Sequence, residues 1–192
     1  MEQHGMWVAW QILFYGWATM EVVVAVRTRT RHGGGEIRDR GTLRLLWIVI
    51  STSITVAITF SSIYGPNMFV GAAWFRALAL ATLVVGMTLR LGSVLSLGKA
   101  FSSNVAIREE QRVKQTGLYR FMRHPSYTGM LIVFLATGLF WQNWIGLLIV
   151  VIPTTVALLY RIHVEEIALR DHFGEEYVDY SRKTSRLIPG IY

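Results

Sequence analysis

The chain of 192 residues is 53% hydrophobic and only 16% charged, with a mean hydropathy of +0.40. Soluble domains carry roughly 25% charged residues, so this composition, with its long apolar runs, indicates an integral membrane protein. The chain contains no cysteine, which excludes disulfides, thiolate nucleophiles and cysteine-ligated metals. The formal net charge of +7 is typical of basic loops beside anionic lipid, and we do not expect nucleic-acid binding.

Five apolar segments are predicted to be membrane spans. They cover residues 6–26, 43–63, 72–97, 128–140 and 145–160. The last two together are too long for one crossing at about 20 residues per span, and the Trp-Gln-Asn-Trp sequence between them is typical of a tight turn at an interface. The sequence thus predicts an all-α integral membrane protein with about five transmembrane helices and a C-terminal helical hairpin.

The distribution of charge predicts how these spans are oriented. Basic residues concentrate in the loops 27–44 and 98–125 and in the tail after residue 160, whereas the connections 64–71 and 142–143 carry no charge. The positive-inside rule then places both basic loops and the tail in the cytoplasm, with the N-terminus outside. Within the spans, Glu21 and Arg90 are candidates for buried functional charges, although snorkelling at helix ends explains them almost as well.

Two polar stretches flank the predicted hairpin. The first, GLYRFMRHPSYTG at residues 117–129, has the Arg, Tyr and Pro residues of an interfacial helix start. The second begins at Arg161 and has no helix breaker before Gly174. Arg161 and Glu165 share a helical face, which favours either a salt bridge between them or an arginine that meets a substrate anion.

A short charged helix is predicted after Gly174, with Tyr177 and Tyr180 on one side. An interfacial helix that anchors the tail is an equally good interpretation of this segment. His163 and His172 are poor metal candidates, because nine residues separate them and no matching cluster occurs elsewhere. We expect no metal site.

Taken together, the two polar stretches resemble the isoprenylcysteine carboxyl methyltransferase family and the related phospholipid methyltransferases. The first stretch matches the pattern G-x-Y…R-H-P-x-Y-x-G, and the second matches R-x-x-x-E-E…F-G-x-x-Y-x-x-Y. Their order, with a membrane hairpin between them, makes the resemblance specific over residues 98–192. We interpret 1–192 as a single polytopic membrane domain in which 98–192 is the methyltransferase core.

The resemblance implies an enzyme that uses S-adenosylmethionine, releases S-adenosylhomocysteine and holds the cofactor at the cytoplasmic membrane face. The family's cofactor contacts correspond to Tyr119, His124, Pro125, Ser126, Tyr127 and Glu165. Weaker matches in the preceding segment are Asn104, Gln111, Arg112, Val113 and Lys114. That segment departs from the common pattern, which often has His at the position of Gln111 and an apolar residue at that of Lys114.

Arg161, Glu165 and Glu166 form the predicted catalytic set. Arg161 corresponds to the family's substrate-side arginine, and a guanidinium can clamp a carboxylate through two hydrogen bonds. Glu165 suits a ribose hydroxyl or the ammonium group of the cofactor. A carboxylate acceptor is already an anion and needs in-line positioning rather than a base. An amine acceptor must lose a proton, and Glu166 or His163 would then act as the base.

Three functions therefore stay open from the sequence. The first is methyl transfer to the carboxylate of a prenylated cysteine or a similar lipid-linked acid, a lipophilic acceptor that would enter from the bilayer. The second is N-methylation of a phospholipid or small amine. The third is a non-catalytic membrane scaffold or carrier, which would contact membrane lipid and need not bind S-adenosylhomocysteine.

Overall fold

The computed structural model describes residues 2–29, 36–68, 73–107 and 112–192, which form six α-helices and two short strands. Helices α1 to α6 span Glu2–Thr28, Thr42–Tyr64, Ala73–Leu97, Pro125–Phe140, Trp144–Phe173 and Glu175–Lys183. Strands β1 (Glu36–Ile37) and β2 (Ala106–Ile107) form one antiparallel pair, with Glu36 opposite Ile107. The predicted spans coincide with α1 to α5.

Within the described residues, four helical stretches are long and apolar enough to cross a membrane: His4–Thr28, Thr42–Tyr64, Ala73–Ala100, which is α3 with the short 3-10 turn that follows it, and Trp144–Phe173. Large apolar side chains on them face outward, as Ile12, Leu95 and Val156 do with exposed fractions of 68%, 69% and 62%. Helix α4 is equally apolar but has only 16 residues, which gives about 24 Å at 1.5 Å per residue. The prediction of an all-α membrane protein is confirmed, with four long helices and one shorter one.

Helices α3 and α4 approach each other closely at two glycines. A Cβ atom built on Gly129 would lie 2.6 Å from the backbone nitrogen of Arg90 and 2.8 Å from the carbonyl oxygen of Gly86. A Cβ atom on Gly86 would lie 2.9 Å from the carbonyl oxygen of Gly129. Small residues at such crossings let two membrane helices pack backbone against backbone. This contact fixes α4, and with it the polar stretch that begins the helix.

The two uncharged connections meet at one end of the helices. The backbone nitrogens of Asn67 and Met68 donate to the carbonyl oxygen of Gln142 at 2.8 and 2.9 Å. The Asn143 side chain donates to the carbonyl of Gly65 at 2.7 Å and accepts from the backbone of Gly146 at 2.9 Å, which caps α5. The turn predicted at 141–144 is therefore confirmed as the hairpin between α4 and α5.

Helix α5 extends beyond its apolar part into the polar tail. It ends at Phe173, because Gly174 adopts a φ of +54°, in the left-handed region that favours glycine. Helix α6 follows at once, and both Tyr177 and Tyr180 are buried. The predicted helix after Gly174 is confirmed, and its tyrosines pack into the protein.

The close crossing predicts that Gly129→Ala destabilises the protein by about 1–3 kcal/mol, because the added methyl group would overlap the backbone of α3. Gly92→Ala is the matched control, since a Cβ atom there meets nothing within 4 Å and alanine is the better helix former. Thermal unfolding of both purified variants in detergent measures the difference. Equal melting temperatures for the two variants would contradict the crossing.

Candidate functional site

Backbone contacts join the two polar stretches that flank the hairpin. The backbone nitrogens of Arg123 and His124 donate to the carbonyl oxygens of Ser185 and Arg186 at 2.8 and 3.1 Å. The hydroxyl of Tyr180 donates to the carbonyl of Tyr119 at 2.7 Å. The stretch before α4 and the tail after α5 therefore form one surface, although about 60 residues separate them in sequence.

A cleft lined by both polar and apolar side chains lies on this surface, with an empty volume of about 860 Å³ that includes its opening to solvent. It collects most of the residues that the sequence predicts to bind the cofactor. Those that line it are Arg112, Val113, Lys114, Tyr119, His124, Ser126, Tyr127 and Glu165. We refer to this cavity as the polar cleft.

Three predicted cofactor residues are not part of this lining. Asn104 is buried in the adjoining loop, where its side-chain oxygen accepts a hydrogen bond from Ser102 at 2.8 Å. Pro125 is buried as the first residue of α4, between two residues that do line the cleft. Gln111 lies outside the described residues.

The cleft also has lining residues that the sequence did not assign to it. Phe101 and Ser102 follow α3, and Leu169 and Phe173 come from the last turns of α5. Tyr177 and Tyr180 come from α6. The spacing of the two tyrosines was visible in the sequence, but it was equally compatible with an anchoring helix. Phe173 is the phenylalanine of the F-G pair in the second pattern, but the sequence assigned it no role at the cofactor. Phe101, Ser102 and Leu169 carried no local signal.

An apolar cavity of about 1050 Å³ lies next to the polar cleft. Its walls are mostly apolar side chains of α1 and α2, among them Trp17, Leu46 and Ile50. Arg90 and Arg161 also line it. Three residues line both cavities: Phe101, Ser102 and Tyr127. The two spaces therefore adjoin at these three residues, which we call the shared wall.

Arg161 is held at this wall by four hydrogen bonds. Its Nε donates to the Tyr127 hydroxyl at 2.9 Å, and its Nη1 donates to Asp39 and Thr42 at 2.8 Å each. Its Nη2 donates to the carbonyl oxygen of Ser103 at 2.6 Å. Among the described residues, its ion pair is with Asp39, not with Glu165 one helical turn away. The salt bridge that the spacing suggested is replaced by a longer-range contact.

Tyr127 stands between Arg161 and Glu165. Its hydroxyl accepts from Arg161 and donates to Glu165 Oε2 at 2.6 Å. The Tyr127 ring also stacks on His124, with ring centroids 5.6 Å apart. The predicted catalytic pair is therefore connected through the aromatic residue that both cavities share.

A second buried arginine, Arg90 on α3, is held in a comparable way. Its Nε and Nη2 donate to the two carboxylate oxygens of Glu21 at 2.9 Å each, and its Nη1 donates to the hydroxyl of Ser126. Glu21 lines the apolar cavity and Ser126 lines the polar cleft. The two charges that the sequence marked as candidates for buried functional groups are therefore one ion pair.

Glu166 lies behind the cleft and is surrounded by basic side chains. Its carboxylate contacts Arg123 at 3.0 Å, the imidazole of His124 at 3.3 Å and Arg186 at 2.8 Å. Only 3% of the residue is exposed. The structure thus places this predicted catalytic residue where it orients His124 and fastens the tail, and it is not part of the cleft lining.

Burial also acts on the tyrosines outside the spans. Burial, reinforced by the negative charge of Glu165, raises the pKa of Tyr119 well above its ordinary value. Burial, reinforced by Glu166 and Glu165, raises the pKa of Tyr177 in the same direction. Both phenols therefore stay neutral and can donate hydrogen bonds throughout the physiological pH range.

Comparison with known proteins connects this geometry to a family. Residues 78–171, about half of the chain, match the Isoprenylcysteine carboxyl methyltransferase (ICMT) family. Protein-S-isoprenylcysteine O-methyltransferase B of Arabidopsis thaliana is 30% identical over 120 residues, which cover 62% of this chain and 61% of that protein. The Protein-S-isoprenylcysteine O-methyltransferase of Mus musculus is 28% identical over 151 residues, 77% of this chain and 52% of that protein.

A solved structure of a eukaryotic intramembrane Ras methyltransferase, ICMT, shares the fold with a TM-score of 0.57 at 24% sequence identity. The superposition covers 76% of this chain and 52% of that one. The chain thus spans between half and two thirds of the length of these relatives. The likeness supports the assignment of an integral membrane fold.

Proposed function

Because residues 78–171 match the isoprenylcysteine carboxyl methyltransferase family, we propose that the chain belongs to this family and is a membrane methyltransferase that uses S-adenosylmethionine. Its proposed acceptor is the carboxylate of a prenylated cysteine or a similar lipid-linked acid. The observation that carries the proposal is the shared wall of Phe101, Ser102 and Tyr127 between a polar cleft and an apolar cavity. At such a wall, a polar cofactor in the cleft and a lipid-linked acceptor in the apolar cavity would contact each other. Each would remain in surroundings that match its own polarity.

The lining of the polar cleft fits the cofactor. The rings of Tyr119, Tyr127 and Phe101 offer aromatic faces for a sulfonium or an adenine, and Glu165 offers a carboxylate for an ammonium or a ribose hydroxyl. His124 and Ser126 add polar contacts for the methionyl group. When bound, S-adenosylmethionine supplies an electrophilic methyl group on a positively charged sulfur. The protein's part is to bind, orient and keep water away.

The apolar cavity fits a lipid-linked acceptor. Its lining is dominated by apolar side chains of α1 and α2. Burial of an apolar chain there gains roughly 25 cal/mol per Å² of surface removed from water. Because α1 and α2 carry outward-facing apolar residues as well, the acceptor's lipid would enter from the bilayer.

Arg161 is proposed to hold the acceptor carboxylate at the wall. A guanidinium has five N–H groups, and the described contacts of Arg161 account for four of them. One N–H on Nη2 is then left for the carboxylate of the methyl acceptor. Arg161 would therefore hold that carboxylate through one hydrogen bond, and not through the two that a free guanidinium can form. One carboxylate oxygen would be held by Nη2, and the other would be free to attack the methyl group in line.

The carboxylate acceptor is favoured over an amine because the two residues that the sequence suggests as a base for an amine, Glu166 and His163, are poorly placed for that role. Glu166 is ion-paired with Arg123 and Arg186 and contacts the imidazole of His124, so its carboxylate is already committed to these partners. His163 is exposed and is not part of either cavity lining. A carboxylate acceptor needs neither of them, because no proton has to be removed before transfer.

The reaction is tested by methyl transfer from labelled S-adenosylmethionine to a prenylcysteine or to a phosphatidylethanolamine, with the purified protein in lipid. We expect transfer to the prenylcysteine, with little dependence of the rate on pH between about 6 and 8, since a carboxylate is fully ionised there. Transfer only to the phosphatidylethanolamine, with a rate that rises with pH, would establish the amine reaction instead. A protein that does not bind S-adenosylhomocysteine would be a scaffold or carrier.

Arg161→Lys should lower turnover about 10-fold or more, because lysine keeps the charge but loses the planar fork that reaches several partners at once. Affinity for S-adenosylhomocysteine should change much less, since Arg161 lines the apolar cavity and not the polar cleft. Arg38→Lys is the matched control, because Arg38 makes a half-exposed pair with Asp171 at 2.8 Å. Turnover near that of the unmodified protein in a folded Arg161→Lys variant would remove Arg161 from the mechanism.

We also propose that the polar cleft faces the cytoplasm, because the basic loops and tail lie at its end of the helices. The chain lacks cysteine, so single cysteines can be labelled cleanly. Tyr64→Cys and Arg182→Cys replace exposed side chains near opposite ends of the bundle. A membrane-impermeant maleimide should label position 182 from the cytoplasmic side and position 64 from the other side, and the reverse result would invert the topology.

A further inference from the structure

Four tyrosines line the polar cleft, and they differ in one respect. The hydroxyls of Tyr119, Tyr127 and Tyr180 donate to the carbonyl of Ser93, to Glu165 and to the carbonyl of Tyr119, respectively. The hydroxyl of Tyr177 is fully buried and has no hydrogen-bond partner among the described residues. Only 2% of Tyr177 is exposed, so bulk water does not satisfy it either.

A buried hydroxyl without a partner is costly, because it loses its hydrogen bonds to water and gains none in return. Packing does not require it, since phenylalanine would fill the same space against Tyr180, whose ring centroid is 5.9 Å away. A hydrogen-bond partner that is present only when the cleft is occupied would account for this hydroxyl. The other residues of this lining already supply aromatic faces and a carboxylate for one polar ligand.

We propose that Tyr177 is a further cofactor-binding residue whose hydroxyl donates a hydrogen bond to S-adenosylmethionine bound in the polar cleft. This inference rests on the proposed function, because it takes the cofactor as the ligand. The sites that can accept from this hydroxyl are the methionyl carboxylate, the ribose oxygens and the adenine ring nitrogens. Helix α6 would then contribute directly to cofactor binding and would not serve only as an anchor.

The test compares Tyr177→Phe with Tyr180→Phe by calorimetric titration of S-adenosylhomocysteine into detergent-purified protein. Tyr177→Phe removes only an unpaired hydroxyl, so the melting temperature without ligand should stay the same or rise. Its affinity for S-adenosylhomocysteine should fall about 10-fold, equivalent to ~1.4 kcal/mol. Tyr180→Phe breaks the bond to the carbonyl of Tyr119, so it should lower the melting temperature without ligand.

A second ligand, 5′-methylthioadenosine, lacks the amino-acid end of the cofactor and shows where the hydroxyl binds. If the loss of affinity persists with it, the partner is on the nucleoside; if the loss disappears, the partner is on the methionyl end. Affinity equal to that of the unmodified protein for both ligands in Tyr177→Phe would overturn the inference while leaving the proposed function intact. An unmodified protein that binds neither ligand would overturn the proposed function itself.

The ligand-induced rise in melting temperature provides a second measurement on the same variants in unpurified detergent extract. It should be smaller in Tyr177→Phe than in the unmodified protein. An equal rise would contradict the contact even if the variant were too scarce for calorimetry.

Discussion

Charges buried among apolar helices must be paired, because moving an isolated ion out of water costs far more than a protein's net stability. Two arginines of the family-matched part, Arg90 and Arg161, lie in such surroundings. Each takes its carboxylate from the preceding part of the chain, Arg90 from Glu21 and Arg161 from Asp39. Removing one partner of such a pair would leave an uncompensated buried charge, so these contacts hold the two halves of the molecule together.

This pairing explains why α1 and α2 belong to the site although they precede the family match at residues 78–171. Glu21 lies on α1, and Asp39 caps the start of α2 through the backbone nitrogen of Leu43 while it pairs with Arg161. The same two helices supply most of the apolar cavity. The N-terminal helices therefore both orient the arginines and enclose the space proposed for the acceptor's lipid.

Much of the fold could be predicted because its signals are local. The apolar runs defined α1 to α5 within a few residues, and Gly174 ended α5 where a left-handed glycine was needed. The contact between Asp39 and Arg161 could not be predicted, since the two residues are 122 positions apart and Glu165 was an equally good partner on local spacing. Packing of the loop before α2 against α5 decides between them.

The candidate site likewise combines residues that local motifs predict with residues that they do not. Eight of the cofactor residues carried over from the family resemblance line one cleft, because the family motifs form the surface where the tail meets the start of α4. Only part of the shared wall could be predicted from the sequence. Tyr127 lies in a motif, whereas Phe101 and Ser102 follow the end of α3 in a segment without a recognisable pattern. Their place became apparent only when both cavities were seen together.

The direction of the hydrogen bonds at the wall limits what Tyr127 can do. An arginine can only donate, so the bond from Arg161 Nε uses Tyr127 as an acceptor, and the phenolic proton goes to Glu165. That proton is then committed to a carboxylate and is not available to an acceptor in the apolar cavity. Tyr127 therefore serves as a side chain of fixed orientation in the wall, and not as an acid or a base. Such a wall suits a transfer in which the nucleophile arrives already ionised, which is the carboxylate reaction.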